Sequence, residues 1–356
     1  MVSKINVKLS IAVICKNEGK NIDRCLNSIF NSIATLGPTE VLVVDSFSTD
    51  DTIEIASKYP VRIIRLRENW PHSPAAGRYT AFLHSRGEYT MCIDADMEMK
   101  SGFLEKALVF MDTHPQTAGL TGIIKHTILS TAEYECLNCE RGELLPLTNK
   151  QLNPHAPAML KSIPGAGVFR SSAVVAVGNF HPFLRAEEEY ELCQRLRRKG
   201  YELWYLPYPV TDHHGYSDNG WAEIKRRLRR GFMTGMGEMF KVSAISGFFV
   251  ENLLRFRLYL ALGAYMVLGT MCLILGFFKP GFPLFWLLGF ILMVLTLSVK
   301  KKSVQRGLLS IINNALIGIH IYIQLLFRIP TATAYPTNPI IIDLSVQQGC
   351  DMESNK

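Results

Sequence analysis

The sequence lacks the regular cysteine spacing that indicates a disulfide framework. Its eight cysteines are scattered, and Cys15, Cys92 and Cys272 fall inside apolar runs, where cysteine behaves as a small hydrophobic side chain. Cys136 and Cys139 have the spacing of two zinc ligands, but a second pair is missing from the sequence. We therefore expect ordinary thiols, and metal binding by this pair is the less favoured interpretation.

Two further absences narrow the class of protein. The first apolar run ends at Lys16 without a small-residue cleavage pattern, so we expect the N-terminal part to stay in the cytoplasm. The net charge of +7 is concentrated in residues 225–230 and 300–302, and no nucleic-acid motif accompanies these clusters. Local positive charge is typical of contact with anionic lipid or phosphate, so we expect no nucleic-acid partner.

Short β-branched runs alternate with longer mixed segments from residue 8 to about residue 128. The runs are "LSIAVIC", "EVLVVDS", "VRIIRL", "YTMCID" and "GLTGIIKHTI". This alternation predicts an α/β fold with a doubly wound, mostly parallel sheet. Such sheets bind ligands at the carboxyl ends of their strands, which is where the acids lie: Glu18 after the first strand, Asp45 at the end of the second, and Asp94 and Asp96 after the fourth. The sequence therefore predicts a binding site at this edge.

Asp94 and Asp96 are one residue apart at the end of an apolar strand. Two carboxylates in this arrangement can hold a divalent cation that bridges the phosphate oxygens of a nucleotide. We expect Asp96 to bind the cation directly and Asp94 to act through water or on a ribose hydroxyl. The pattern alone is more typical of a solvated turn, and its position at a strand end favours the metal site.

Five segments in order resemble the successive motifs of the family 2 glycosyltransferases, whose nucleotide-sugar-binding fold is called GT-A. They are "SIAVICKNEGKNIDRCLNSI", "EVLVVDSFSTDDT", "AAGRYTAF", "YTMCIDADME" and "EEEYELCQRLRRKGY", and they cover roughly residues 8–205. The resemblance implies that Glu18 and Asp45 contact the uridine and its ribose, and that Arg78 lies near the base or the diphosphate. It also implies that Asp94 and Asp96 hold Mg²⁺ or Mn²⁺ with the sugar nucleotide.

A second carboxylate cluster precedes the helical pattern "ELCQRLRRKGY". Displacement at an anomeric carbon needs a base that takes the proton of an acceptor hydroxyl. The family resemblance places this base at Glu189, although glutamate stands where the family usually has aspartate, so Glu188 stays open. Neighbouring carboxylates raise one another's pKa and a helix N-terminus lowers it, and a solvated helix cap is the alternative interpretation.

Two weaker signals fall near the end of the resemblance. In "PGAG", Gly165 and Gly167 either let the backbone approach the donor sugar or form a turn. His213 and His214 either lie near the diphosphate or belong to an ordinary loop. We keep both alternatives for each pair.

The C-terminal half turns apolar after a basic segment. We expect residues 219–256, which include Arg229 and Arg230, to form an amphipathic helix that rests on anionic headgroups or grips a lipid diphosphate. Residues 258–278 and 282–299 carry no charge and predict a membrane hairpin rather than a buried soluble helix pair. Basic residues flank its outer ends and outnumber Lys279 in the turn, which predicts cytoplasmic outer ends.

A third apolar segment, residues 308–327, carries a polar stripe. Asn313, His320 and Gln324 fall on one side of a helix with period 3.6, so the segment is either a third span, which we favour, or a helix in the membrane interface. We divide the chain into a catalytic domain (1–218), a basic interfacial segment (219–256), a transmembrane region (257–330) and a tail (331–356).

The prediction is a multi-pass protein of the cell membrane with a cytoplasmic GT-A domain followed by transmembrane helices. We expect it to move a sugar from a nucleotide sugar, a UDP-sugar, to a hydroxyl of a lipid-linked glycan or glycolipid with inversion. A polyprenyl-phosphate glycosyltransferase is the runner-up, although a phosphate acceptor needs no base. A non-catalytic nucleotide or glycan sensor is the alternative from another class, because a fold does not fix a function.

Overall fold

The computed structural model describes residues 7–127, 142–144, 155–214, 220–276 and 281–345. The prediction for Cys136 and Cys139 and the charge of Lys279 fall outside the described residues. The chain divides into two compact units. The first comprises residues 1–184, 188–216 and 331–356, and the second comprises residues 185–187 and 217–330.

The first unit is built on one mixed sheet. Its strands are β1 (Leu9–Cys15), β2 (Thr39–Asp45), β3 (Arg62–Arg65), β4 (Tyr89–Asp94), β5 (Met97–Met99), β6 (Thr117–Thr127), β7 (Gly142–Leu144), β8 (Ala158–Met159), β9 (Gly167–Arg170), β10 (Glu202–His213) and β11 (Ile340–Asp343). The strand order is β11-β3-β2-β1-β4-β9-β6-β10-β5, with β7 on β6 and β8 on β10.

The parallel core of this sheet brings the predicted acids to one edge. β1 pairs in parallel with β2 on one side and with β4 on the other, and β3 continues the parallel order beyond β2. Cys15 lies opposite Asp45, and Ile14 lies opposite Asp94. The carboxyl ends of β1, β2 and β4 therefore meet, which confirms the predicted doubly wound core. β9 then inserts antiparallel between β4 and β6.

Helices cover both faces of the sheet because its strands are apolar on both sides. The helices of the first unit are α1 (Ile22–Ile33), α2 (Thr52–Ala56), α3 (Pro74–His84), α4 (Phe103–Thr113), α5 (Ser171–Ala176) and α6 (Glu188–Arg198). The predicted helical spacing of α1 buries Ile22, Leu26 and Ile29 completely against one face. Truncating one such side chain to alanine typically costs about 2–5 kcal/mol of stability.

Residues 331–345 belong to the first unit, although the sequence analysis treated them only as part of a tail. β11 pairs antiparallel with β3 and adds an edge strand to the sheet. Tyr335 is 2% exposed, and its ring lies 5.7 Å from those of Trp70 and Tyr79 and 5.6 Å from that of Phe183. Its hydroxyl donates to the carbonyl oxygen of Pro71 at 2.7 Å. The chain therefore returns from the second unit to complete the first.

The second unit is helical. Its helices are α7 (Trp221–Arg229), α8 (Phe232–Ser243), α9 (Phe249–Leu275), α10 (Gly281–Lys301) and α11 (Val304–Leu326). Gly247, with φ of 91°, lies in the turn between α8 and α9 and marks a kink. The described residues contain three helical segments long and apolar enough to cross a membrane, which end at Leu275, Lys301 and Leu326.

α9 and α10 form the expected antiparallel pair, and α9 begins nine residues before the apolar run 258–278. The Tyr265 hydroxyl donates to the carbonyl oxygen of Trp286 at 2.5 Å, and the indole N–H of Trp286 donates to the carbonyl oxygen of Tyr265 at 3.1 Å. The two rings are stacked, with centroids 5.9 Å apart. This reciprocal pair fixes the register between the two helices.

α11 packs on α9 through glycines and on α8 through its polar stripe. A methyl group at Gly318 would lie 1.9 Å from the carbonyl oxygen of Tyr259, so only glycine fits this contact. The imidazole Nδ1 of His320 lies 3.3 Å from the Thr234 hydroxyl on α8, and Gln324 packs against Gly237 of the same helix. Two residues of the predicted stripe thus face α8 rather than the hairpin.

Candidate functional site

The first two strand ends are tied together by side chains of the loops that follow them. Glu18 accepts a hydrogen bond from the Asn21 amide at 2.8 Å, and its backbone N–H donates to the Thr52 hydroxyl at 2.8 Å. The Asn17 N–H donates to the Ser48 hydroxyl at 2.8 Å. The loop after β1 is thereby held against the loop after β2, and Glu18 is positioned at the edge where the sequence predicts it.

Asp45 lies at the end of β2 and is fully buried. Its two carboxylate oxygens accept the Ser48 N–H at 3.1 and 3.0 Å, and Arg65 Nε lies 3.2 Å from Oδ2. These contacts shape the turn that carries Phe47, whose φ is 62° and whose ring lies beneath the Arg65 guanidinium at 4.8 Å. Asp45 therefore organises the loop at this edge.

Arg78 on α3 joins the two carboxylate clusters that the sequence analysis treated separately. Its side chain is 2% exposed, and its guanidinium lies 2.9 Å from Asp94 Oδ1, 2.9 Å from Glu188 Oε1 and 3.0 Å from Glu189 Oε1. α3 can approach β1 closely because it carries Gly77, where a methyl group would lie 2.8 Å from Ile14. One buried cation thus holds the end of β4 against the start of α6.

The two glutamates of this cluster differ in exposure. The side chain of Glu188 is 5% exposed and that of Glu189 is 19% exposed. Burial, together with repulsion from the Glu189 carboxylate, raises the pKa of Glu188 to about 8. The more accessible Glu189 is therefore the carboxylate of the pair that can meet a second molecule.

Asp96 and His213 form a second cluster at the same edge. β5 pairs antiparallel with β10, and this pairing brings His213 Nε2 to 3.1 Å from Asp96 Oδ2. The other carboxylate oxygen, Asp96 Oδ1, is buried and has no hydrogen-bond partner in the described part of the chain. His214 turns instead to Glu98, with Nε2 3.2 Å from Oε2. The two neighbouring histidines therefore contact different carboxylates.

The side chains at Asp96 are better suited to a cation that also binds a ligand than to a metal ion enclosed by protein side chains alone. Carboxylate oxygen and imidazole nitrogen both bind divalent cations, and Asp96 Oδ1 is an acceptor without a partner. No group of three metal-binding side chains occurs among residues 7–127, 142–144, 155–214, 220–276 and 281–345. The remaining ligands of a cation held by Asp96 and His213 would have to be phosphate or water oxygens.

The glycines of "PGAG" have different surroundings. A Cβ on Gly165 would lie 3.3 Å from Asp94 Oδ2 and 3.5 Å from Arg78 Nη2, so its backbone lies directly beside the cluster around Arg78. A Cβ on Gly167 would lie 2.3 Å from Ile163, so that glycine is required by packing of β9. Only Gly165 is brought to the acidic edge.

The basic residues of α7 belong to the second unit. Arg226 and Arg227 pair with Glu223, with nitrogen to oxygen distances of 2.6 Å in both pairs. Arg229 and Arg230, at the end of the helix, are exposed. Their predicted contact with an acceptor or a diphosphate stays a prediction.

Residues 10–171 match the sequence model of the family described as glycosyl transferase family 2. Over these residues the chain is similar to the family 2 glycosyltransferases. The match covers the acidic strand ends, Arg78 and Gly165, and it ends before Glu188, Glu189 and His213.

Relatives of the glycosyltransferase domain cover part of the chain. The poly(ribitol-phosphate) beta-N-acetylglucosaminyltransferase TarS of Staphylococcus aureus is 31% identical over 112 residues, 30% of this chain and 19% of TarS. The glycosyltransferase SunS of Bacillus subtilis is 33% identical over 89 residues, 25% of this chain and 20% of SunS. The chain thus covers about a fifth of the length of each. The crystal structure of TarS 1–349 superposes with a TM-score of 0.54 at 17% identity, over 90% of this chain and 93% of that one, which shows a GT-A-like fold.

Sequence reasoning missed two features of the glycosyltransferase domain. It placed Arg78 near a base or diphosphate and not between Asp94 and the two glutamates, because contacts between residues 110 positions apart depend on how the strands are ordered. It also missed the stacking of Phe47 on Arg65 and on His72, whose ring centroid is 6.1 Å away. The signal was the sequence "DSFSTDD", in which an aromatic residue follows a strand-ending acid.

Proposed function

We propose that the chain is an inverting glycosyltransferase that transfers a sugar from a UDP-sugar to a hydroxyl group. The observation that carries the proposal is the cluster around Arg78, because one buried guanidinium connects Asp94 at the donor edge with a glutamate pair that can supply a base. The relatives TarS and SunS, both glycosyltransferases by name, support sugar transfer.

We assign donor binding to the edge formed by β1, β2 and β4. Glu18 and Asp45 would bind or shape the pocket for the uridine and its ribose, and Phe47 offers an aromatic face beside them. Asp94 would face the ribose or the sugar, with Gly165 leaving room for the donor.

We assign a divalent cation, Mg²⁺ or Mn²⁺, to Asp96 and His213. When bound, such a cation supplies positive charge to the diphosphate leaving group. Asp96 would bind through its unpartnered Oδ1, and His213 through Nε2. Asp94 would take part less directly, because Arg78 already holds its Oδ1.

We assign the general base to Glu189. A base must be ionised to accept the proton of the acceptor hydroxyl, and its side chain must reach the acceptor. Burial raises the pKa of Glu188 to about 8, so that residue is largely neutral at pH 7, whereas Glu189 is more exposed and paired with Arg78. Arg78 would therefore position the Glu189 side chain, and Glu188 would hold the Arg78 guanidinium in place.

The acceptor is a hydroxyl of a lipid-linked glycan or glycolipid at the cytoplasmic face of the membrane in this proposal. Three segments of the second unit are long and apolar enough to cross a membrane, which supports an acceptor that is itself in the membrane. A hydroxyl, unlike a phosphate, must lose a proton during the reaction, which is what the glutamate pair would provide.

The experiment compares Glu189→Gln with Glu188→Gln in the full chain purified in detergent. A panel of nucleotide sugars with Mn²⁺ and lipid-linked acceptors identifies the substrates of the wild type, and product formation and donor affinity are then measured for each variant. We expect Glu189→Gln to bind donor normally and to lose about 10²- to 10⁴-fold in transfer, the usual contribution of a positioned base.

Each alternative outcome has a distinct meaning. An inactive Glu188→Gln beside an active Glu189→Gln would move the base by one residue. Full activity of both variants would indicate a phosphate acceptor, as in a polyprenyl-phosphate glycosyltransferase. Binding of nucleotide sugars without any turnover, including slow donor hydrolysis, would indicate a sensor and contradict the proposal.

A further inference from the structure

The course of the chain limits how many times it can cross a membrane. β11 is hydrogen-bonded to β3 in the sheet that also contains β1, β4 and β10, and Tyr335 is buried among aromatic side chains of the same unit. A single sheet lies on one side of a bilayer, because water-exposed strands cannot pass through hydrocarbon. Residues 213 and 335 therefore lie on the same side, and the chain between them crosses an even number of times.

The described residues provide three candidates for these crossings. α9, α10 and α11 are each long and apolar enough. α8 has 12 residues, so it is about 18 Å long and shorter than the hydrocarbon core of about 30 Å. With three candidates and an even number, at least one of these helices does not cross.

The packing of α11 on the hairpin identifies that helix. Tyr265 of α9 lies opposite Trp286 of α10. Ser298 lies 12 residues, about 18 Å, further along α10, and for two parallel helices this is the level of the first residues of α9. α11 meets Ser298 at Gly307, where a methyl group would lie 2.8 Å from the Ser298 nitrogen. The hydroxyl of its Tyr322 donates to the Leu260 carbonyl oxygen at 2.8 Å.

These two contacts show that α11 lies obliquely across the hairpin. From Gly307 to Gly318 the helix advances about 16 Å along its own axis, but its backbone contacts with the hairpin advance from Ser298 to between Tyr259 and Gly263, about 12 Å of depth. Gly318, one turn before Tyr322, already touches Tyr259 at nearly the same level as Leu260. Membrane helices also cross one another at about 40°, so polarity decides among the three candidates, and α11 has the lowest mean hydropathy of the three.

Charge and polarity at α11 agree with this placement. Arg306 and Arg328 lie at its two ends, and Lys241 of α8 donates to the Leu325 and Phe327 carbonyl oxygens at 2.9 and 2.6 Å. A third span would carry Arg328 to the side opposite Arg306, against the usual retention of basic flanks on one side. Two residues of the polar stripe of α11, His320 and Gln324, contact α8, while apolar side chains near the ends of α11 remain exposed.

We propose that α9 and α10 cross the membrane as a hairpin and that α11 lies in the membrane interface at the outer ends of this hairpin, with its apolar side chains among the lipids. The binding partner of α11 is thus a lipid surface with anionic headgroups, because the helix combines exposed apolar residues with basic ends. This inference replaces the third span that the sequence alone favours, and it does not depend on the catalytic proposal.

The first experiment determines sides in intact cells and in permeabilised cells. A genetically encoded azide is placed at Lys58, Gly281, Lys302 or Asn338 in the full chain and is labelled with a membrane-impermeant alkyne dye. We expect Lys58, Lys302 and Asn338 to behave alike and Gly281 to be labelled from the opposite side. Labelling of Lys58 and Asn338 from opposite sides would overturn the even count, and labelling of all four from one side would overturn the hairpin.

The second experiment measures depth in vesicles that contain anionic lipid. A nitroxide is attached through an azide at Leu316, in the middle of α11, or at Leu292, in the middle of α10, and its accessibility to oxygen and to a polar nickel complex is compared. We expect Leu292 to report the bilayer centre and Leu316 to report the headgroup region. Equal depths would show a third span, and the unchanged partner position provides the matched control for folding.

Discussion

Replacing Arg78 with methionine should destabilise the first unit strongly. Arg78 is 2% exposed and is the cation shared by Asp94, Glu188 and Glu189, with nitrogen to oxygen distances of 2.9, 2.9 and 3.0 Å. Methionine keeps much of the volume but leaves the three carboxyl groups without their counterion. Removing one partner of a buried ion pair typically costs about 3–5 kcal/mol, because a charge stays buried without compensation.

The expected loss corresponds to a large change in melting temperature. For domains of this size, about 1 kcal/mol shifts Tm by roughly 2–4 °C, so Arg78→Met should lower Tm by about 6–20 °C. Unfolding of the full chain in detergent, followed by near-ultraviolet circular dichroism, measures the shift. Arg78→Lys, which keeps the charge but not the planar fork, should fall between the wild type and Arg78→Met.

A surface pair provides the matched control. Lys8 contacts Glu88 at 2.8 Å and Asp112 at 2.7 Å, but its side chain is 36% exposed, so Lys8→Met should cost less than about 1 kcal/mol. A second change, Glu189→Gln, made in the Arg78→Met background should restore part of the lost stability by removing one uncompensated charge. If Arg78→Met and Lys8→Met lowered Tm equally, the argument that burial sets the cost would be wrong.

Three further predictions concern the metal, pH and the C-terminal strand. Asp96→Asn should abolish the Mn²⁺-dependent part of donor binding in calorimetry, so that a chelator no longer changes the affinity, and a preserved metal effect would refute the assignment. Because the pKa of Glu188 is raised to about 8, the folded state holds a proton that the unfolded state has lost above about pH 5. The free energy of unfolding should therefore fall as the pH rises from about 5 to about 8. Glu188→Gln should reduce this fall, and an unchanged dependence of the free energy on pH would contradict the prediction. Tyr335→Ala should cost about 3–5 kcal/mol and Tyr335→Phe about 1 kcal/mol in the same melts, and a negligible effect of Tyr335→Ala would show that the C-terminal segment does not support the first unit.

The strand ends were predictable because the signals were local. Each of Asp45, Asp94 and Asp96 follows a short apolar β-branched run, and parallel pairing brings the ends of such runs to one edge whatever the rest of the fold. The start of α6 was equally visible, because its acids precede a helical pattern and its basic residues end it. The local sequence pattern therefore predicted the strand ends and the helix start that carry the site residues.

The assembly of those parts was not predictable from the same signals. Contact between Arg78 and Glu188 depends on β9, which inserts antiparallel beside β4, and a run of four residues carries too little pattern to specify its neighbours. His213 reaches Asp96 because β10, a strand with register shifts, pairs with the three residues of β5. Strand order and irregular register, rather than residue type, decided these contacts.

The C-terminal strand illustrates a different limit. "PIIIDL" has the composition of a strand, but it follows the long apolar helices, and nothing local indicates that it pairs with residues 62–65. Similarly, the start of α9 at Phe249 could not be predicted, because charged residues such as Glu251 and Arg255 do not match the apolar pattern of the hairpin. Such features depend on tertiary contacts or on the continuation of a helix beyond its membrane part.

The pairing of β3 with β11 also orders events during synthesis. β3 leaves the ribosome early, but the strand that completes its edge is made only after α9, α10 and α11. Until then the nascent domain presents an unpaired strand edge, which is a template for aggregation. The aromatic pocket that Trp70, Tyr79 and Phe183 form for Tyr335 is also empty until that strand is made. Closure of the sheet therefore follows synthesis of all three long apolar helices, and a chain that stops before residue 340 keeps this edge open.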